Sequence, residues 1–250
     1  MPNQSSEFTT LLQDLRALGI QPGDAVLVHS SMKALGTSLA PEEVITCLQE
    51  AVGDAGTLLI PALTYENVNA QHPDFHSETT PPCIGLLPTT FWRMPGVERS
   101  LNPTHSVCAR GRLAHRLTVG HEMDSTAVGP HSPFMQLAVV GGKLLFIGDV
   151  LHACTFLHGV EEMVQPPYLR PVTAQYTVNG APRTYTDMND FGWGQEFQRI
   201  GDMLEEPDII RGKLLHANSF LIDTRALLAV GLMEMRANPY TFVTDISKWV

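Results

Sequence analysis

Three short apolar runs, each followed by a polar loop, most constrain how this chain can fold: Ala25–Val28, Gly56–Pro61 and Lys143–Gly148. They are too short for core helices and lack polar alternation, the pattern of strands buried on both faces of a sheet. Amphipathic segments lie beside them. Phe8, Leu11, Leu12, Leu15 and Leu18 share one helical stripe closed by Gly19, and Pro41–Gly53 carries Glu42 and Glu43 in its first turn, where the helix dipole favours them. Pro133–Val140 ends at Gly141-Gly142, a helix stop just before the third run. A strand that ends in a polar loop and feeds a helix is where open α/β sheets place their ligands.

The rest of the chain is punctuated in the same way. Residues 68–85 are long, polar and proline-bearing, the signature of a lid or binding loop. Leu86–Trp92 and Gly111–Leu117 are expected to be helical. Pro166-Pro167 ends a helix that starts near Thr155. Arg170–Tyr176 and Pro182–Tyr185 flank Asn179-Gly180, a strong hairpin signal. Trp193–Leu204 is expected to form a helix, Leu214–Asp223 a strand, and Thr224–Met235 a closing helix. No repeat or linker interrupts residues 1–250, so one domain is expected.

Composition removes several classes of function. With 44% hydrophobic and 17% charged residues the chain suits a compact globule and not a disordered one. No apolar stretch approaches the roughly 20 residues that cross a bilayer, and the N-terminus lacks a signal-peptide pattern, so a cytoplasmic location is expected. Cys47, Cys83, Cys108 and Cys154 form no CxxC pair, which argues for free thiols over zinc or disulfides. A net charge of −10 disfavours nucleic acid and anionic membranes and is compatible with a cationic substrate.

The chemistry concentrates after the third apolar run. His158 and Glu161 lie three apart at the start of a helix and so share a face. A histidine paired with a carboxylate just past a buried strand end is a candidate general base. Ser30 and Ser31 follow the first strand. They suit a phosphate or pantetheine amide, or simply cap the next turn. His72 and His76 are separated by Pro73, which breaks the helical spacing a zinc site would use.

The ordered motifs resemble the aminoglycoside 3-N-acetyltransferase family, antibiotic acetyltransferases without the GNAT fold. They run from Gly23-Asp24 and Val28–Gly36 through Gly56–Leu58, Pro95–Ser100 and Pro103–Ser106 with Ala109–Gly111. They continue with Gly129–Pro133, Gly141–Gly148 and Thr155–Glu161, and together cover about residues 7–235. The resemblance implies a three-layer α/β/α sandwich around a mixed, largely parallel sheet. It also implies acetyl-CoA as cosubstrate and transfer of its acetyl group to the 3-amino group of a 2-deoxystreptamine ring. The family's histidine falls on His158 and its glutamate on Glu161. The cosubstrate is expected at His29, Ser30, Ser31, His105, Ser106, Ser132 and Thr155, and the amine near Glu66, Asp149 and Asp190. Asn102 departs from the pattern, standing where a histidine is often seen. A further acidic partner of the histidine falls in a poorly matched region, with Asp187, Asp190 and Glu196 as candidates.

Chemically, a neutral imidazole must take a proton as the amine attacks the thioester, and a carboxylate on its far nitrogen fixes the tautomer. Donors near Thr155 or the Ser30-Ser31 turn are candidates for holding the oxyanion. No GxSxG elbow is present, so direct transfer in a ternary complex is expected rather than an acyl-enzyme. His105 either contacts the cosubstrate or only braces the Pro103 turn. The rival readings are the same chemistry on another amine, a metal-dependent hydrolase built on the histidine-bearing loops, and a CoA-binding protein without turnover.

Overall fold

The computed structural model describes residues 6–247. In chain order, α1 (Ser6–Ala17), β1 (Ala25–Ser30), the short α2 (Met32–Leu35), α3 (Pro41–Val52) and β2 (Thr57–Pro61) come first. Next are β3 (Asp74–Phe75), α4 (Leu86–Phe91), β4 (Glu98–Arg99), β5 (Val107–Gly111) and α5 (Ala114–Thr118). The centre is α6 (Pro133–Val140), β6 (Lys143–Ile147) and α7 (Phe156–Val164). The last third holds β7 (Arg170–Val178), β8 (Ala181–Asn189), β9 (Trp193–Gln195), α8 (Ile200–Met203), β10 (Ile209–Leu214), β11 (Ala217–Asp223), α9 (Thr224–Ala237) and β12 (Val243–Asp245).

Seven of these strands form one mixed sheet in the order β10-β11-β6-β1-β2-β5-β4. The central three, β6-β1-β2, are parallel, and antiparallel strands extend both sides. Alternation along the strands sorts the core into two layers. Leu27, Leu59, Leu144 and Phe146 pack with α6, α7 and α9 on one face, while Val26, Val28, Leu58, Ile60, Leu145 and Ile147 pack with α1, α3 and α4 on the other. Each such side chain, taken from water to full burial, contributes roughly 1.5–3 kcal/mol, so a polar residue on either face of β1 or β6 would be costly. The expected three-layer sandwich is what these residues build.

At the end of β6, Gly148 has φ +96, and a Cβ there would meet Ala34 Cβ at 2.9 Å and Ser31 Cβ at 3.3 Å. A side chain would therefore push apart the C-terminal ends of β1 and β6, where the site forms. The expected turn at Asn179-Gly180 is also present, with φ 48 and 82, as a type I′ hairpin needs. It closes β7 on β8, pairing Val178 with Ala181. Buried Tyr176 and Tyr185 meet edge to face at 5.5 Å and dock the hairpin with Phe75 and Val68.

Two elements differ from expectation. Residues 193–204 do not form one helix: β9 is followed by a 3-10 turn at Phe197–Arg199 and then α8. β9 pairs with β12, Gln195 opposite Val243, a partner too distant in sequence for local periodicity to register. Leu214–Asp223 is not one strand either. Leu215 turns with φ 50, so β10 and β11 form a hairpin that starts at Ile209.

Candidate active site

The hub is the first turns of α7. Phe156, Leu157 and Val160 face the core, which turns His158 toward the strand ends. Gly159 lets α7 approach its neighbours, since a Cβ there would lie 2.5 Å from Met135 Cε. His158 Nδ1 lies 2.7 Å from Glu161 Oε2, and the carboxylate is buried, its side chain 2% exposed against 27% for the imidazole. The other oxygen, Oε1, accepts from the Tyr168 hydroxyl at 2.7 Å. With Nδ1 directed at a carboxylate, Nε2 is left for chemistry.

The rings around His158 are close. Phe197 meets it edge to face at 5.0 Å, and His105 does so at 6.0 Å, itself tilted 6.0 Å from Tyr65. The His105 Nδ1 lies 2.8 Å from Thr104 Oγ1. Burial, with the nearby charges of His158 and His121, pushes the His105 pKa down to about 3, so this ring is neutral. Burial alone lowers His158, but the Glu161 hydrogen bond and the charges of Glu161, Glu162 and Asp190 outweigh it, and its pKa rises above the ordinary 6.5. Asp190 is raised chiefly by burial, with the Glu161 charge adding to it against an opposing backbone hydrogen bond. Glu162 is raised by burial, although Thr126 Oγ1 and the Val128 amide donate to it at 2.6 and 2.7 Å.

Two cavities meet at this hub. The larger, of ≈ 660 Å³, is bordered by Val28, His29 and Ser30 at the end of β1, by Leu63, Ile84 and Val150, and by Thr155. The smaller, of ≈ 300 Å³, lies under the β7–β8 hairpin and is bordered by Glu161, Glu162, Asp187 and Tyr176. Tyr65, His105 and His158 line both. The larger is mainly apolar; three carboxylates border the smaller.

Of the expected site residues, the structure brings His158, Glu161, His105, His29, Ser30, Thr155 and Asp190 to these cavities. His29 stacks on Phe146 at 5.0 Å, its Nε2 is buried without a hydrogen-bond partner, and burial lowers its pKa to about 3. The other serines serve the fold. Ser31 caps α2 by accepting from the Ala34 amide, and Ser132 caps α6 by accepting from the Met135 amide. Ser106 is buried, donating to the Ala62 carbonyl and accepting from Arg99 Nε. Glu66 and Asp149 are exposed and border neither cavity. Of the further acidic candidates, Asp187 and Asp190 reach the cavities, and Glu196 pairs instead with Gln198 and Thr244. Sequence reasoning missed Tyr168, Phe197 and Glu162. Tyr168 lies outside the matched motifs and beyond the Pro166-Pro167 stop of α7, so no helical spacing tied it to Glu161. Among the described residues no group of three or more His, Cys, Asp or Glu side chains is placed to hold a metal ion, and no helix is long and apolar enough to cross a membrane.

Comparison with known proteins bears on the family and the fold. The family model described as aminoglycoside 3-N-acetyltransferase matches residues 27–236. Aminoglycoside N(3)-acetyltransferase VII of Streptomyces paromomycinus is 34% identical over 177 residues, a match covering 64% of this chain and 61% of that relative's length. Among solved structures, a histidine-to-alanine mutant of aminoglycoside acetyltransferase AAC(3)-IVa in complex with a gentamicin superposes with TM-score 0.83. It is 27% identical and covers 97% of this chain and 93% of its own. AAC-IIIb in a binary complex with CoASH gives TM-score 0.79 at 28% identity, covering 92% of this chain and 96% of its own. With the ordered motifs, the family model and the shared fold in agreement, the chain belongs to the aminoglycoside 3-N-acetyltransferase family.

Proposed function

We propose that the protein transfers an acetyl group from acetyl-CoA to the 3-amino group of the 2-deoxystreptamine ring of an aminoglycoside, directly within a ternary complex. The observation that carries this is the position of His158 and His105 on the wall shared by an apolar cavity and an acidic one. The apolar cavity suits a pantetheine arm, and a side chain on its border, His29, has a buried nitrogen still lacking a partner. The acidic cavity, with Glu161, Glu162 and Asp187 at its edge, suits a polycation. The relatives solved with CoASH and with gentamicin support the two substrate classes.

His158 is then the general base. As the amine nitrogen attacks the thioester carbonyl, His158 Nε2 takes the ammonium proton, and Glu161 stabilises the imidazolium through Nδ1. The C–S bond breaks and the CoA thiolate leaves to be protonated. Neutral His105 and the turn at Thr155 border the same cavity as His158 and are the candidate donors to the developing oxyanion.

The test is thiol release from acetyl-CoA with a panel of aminoglycosides. Replacing His158 by Ala should lower kcat about 10²–10⁴-fold with acetyl-CoA binding nearly intact. A base must be neutral, and the His158 pKa is raised. In the wild type kcat should therefore climb with pH through a midpoint above 6.5, and this limb should vanish in His158→Ala. A folded variant with near wild-type kcat would remove His158 from the mechanism.

A further inference from the structure

We infer that Tyr168 is a positioning residue for the base, setting the proton affinity of His158 through Glu161; this rests on the reading of His158 as the general base. Tyr168 OH donates to Glu161 Oε1 at 2.7 Å while His158 Nδ1 holds Oε2 at 2.7 Å, so the carboxylate divides its charge between two partners. Glu161 is buried, and water offers no substitute for either bond. The phenol is held in place: Tyr168 is 3% exposed and packs 5.9 Å from both Trp193 and Tyr240, which lie 4.8 Å from each other. These two aromatics come from β9 and from the segment before β12, so the arrangement spans three separate stretches of chain. The titratable groups facing His158 are Glu161 and Glu162 on α7, Asp190 after β8, and His105 on the opposite wall. Asp190 also faces Tyr168. None of these except Glu161 has an oxygen on the His158 Nδ1.

The bond to Tyr168 draws negative charge from Glu161 and so weakens its hold on the imidazolium. Tyr168→Phe keeps the ring packing and removes only the donor. The full carboxylate charge then favours the imidazolium, and the acid limb of kcat moves to higher pH, by about half a unit or more. At the pH optimum kcat also falls, because Glu161 loses one of the two bonds that orient it. Incorporating a fluorotyrosine at 168, whose phenol is a stronger donor, preserves the fold and moves the limb to lower pH.

The experiment is the pH dependence of kcat for the wild type and both variants, with His158→Ala as reference. Opposite displacements in the two variants support the inference. A limb that stays in place or moves the other way in either variant overturns it, because a merely structural tyrosine changes the amount of folded enzyme and not the midpoint. A wild-type profile without a limb that His158→Ala abolishes overturns the general-base reading itself, and the two failures are thereby told apart.

Discussion

Asn102 joins three parts of the chain through one buried side chain. Fully buried, it accepts through Oδ1 from the Thr104 amide at 3.1 Å, the His105 amide at 2.8 Å and the Tyr185 hydroxyl at 2.7 Å, and donates through Nδ2 to the Thr126 carbonyl at 3.1 Å. One side chain thus joins the His105 turn, the β7–β8 hairpin and the loop whose Thr126 hydroxyl donates to Glu162. Burial holds the Tyr185 hydroxyl well above its ordinary pKa, which keeps it a donor. Asn102→Ala strands several buried groups, and each costs about 1–3 kcal/mol. Denaturant unfolding should register at least one such increment, and kcat should fall because His105 loses its anchor. The His158 and Glu161 pair was visible in the sequence because helical spacing is local. The role of Asn102 was not, since the partners that make it a junction, Thr126 and Tyr185, are 24 and 83 positions away.

Among the elements, the parallel centre was the most legible, because β1, β2 and β6 are continuous apolar runs bounded by glycine or proline. The hairpin was equally plain at Asn179-Gly180. The β9–β12 ribbon was not, because both strands are three residues long and neither alternates. Tertiary contacts hold it. Arg199 Nη1 donates to the Thr241 carbonyl at 2.8 Å and the Val243 carbonyl at 3.3 Å, while Nη2 reaches Thr244 Oγ1 at 2.9 Å. The Trp193 amide in turn donates to the Asp190 carbonyl at 2.8 Å, linking the ribbon to a cavity carboxylate. Arg199→Ala should therefore raise hydrogen exchange in residues 190–195 and 241–245 together. It should also lower kcat, measured at saturating substrates, because Trp193 on this ribbon packs on Tyr168, whose hydroxyl holds Glu161.

At the level of the whole molecule, the net charge of −10 finds its outlet in the acidic cavity. The amine KM should rise with ionic strength, since roughly 0.15 M salt screens charges beyond about 8 Å, while the acetyl-CoA KM, set by an apolar cavity, should move less. Initial-rate measurements at several salt concentrations check both, and a salt-independent amine KM would count against the carboxylate border. The two faces of the sheet carry a different message. Val26 and Val28 on β1 belong to one layer and Leu27 to the other, and β6 divides the same way between Leu145 and Leu144. Neither layer can come apart and leave the other whole, for each strand is the floor of both. The ground under His158 is thus only as firm as the packing of α1 and α3 on the far side of the sheet, and a void opened there, remote from every reacting atom, loosens the site from beneath.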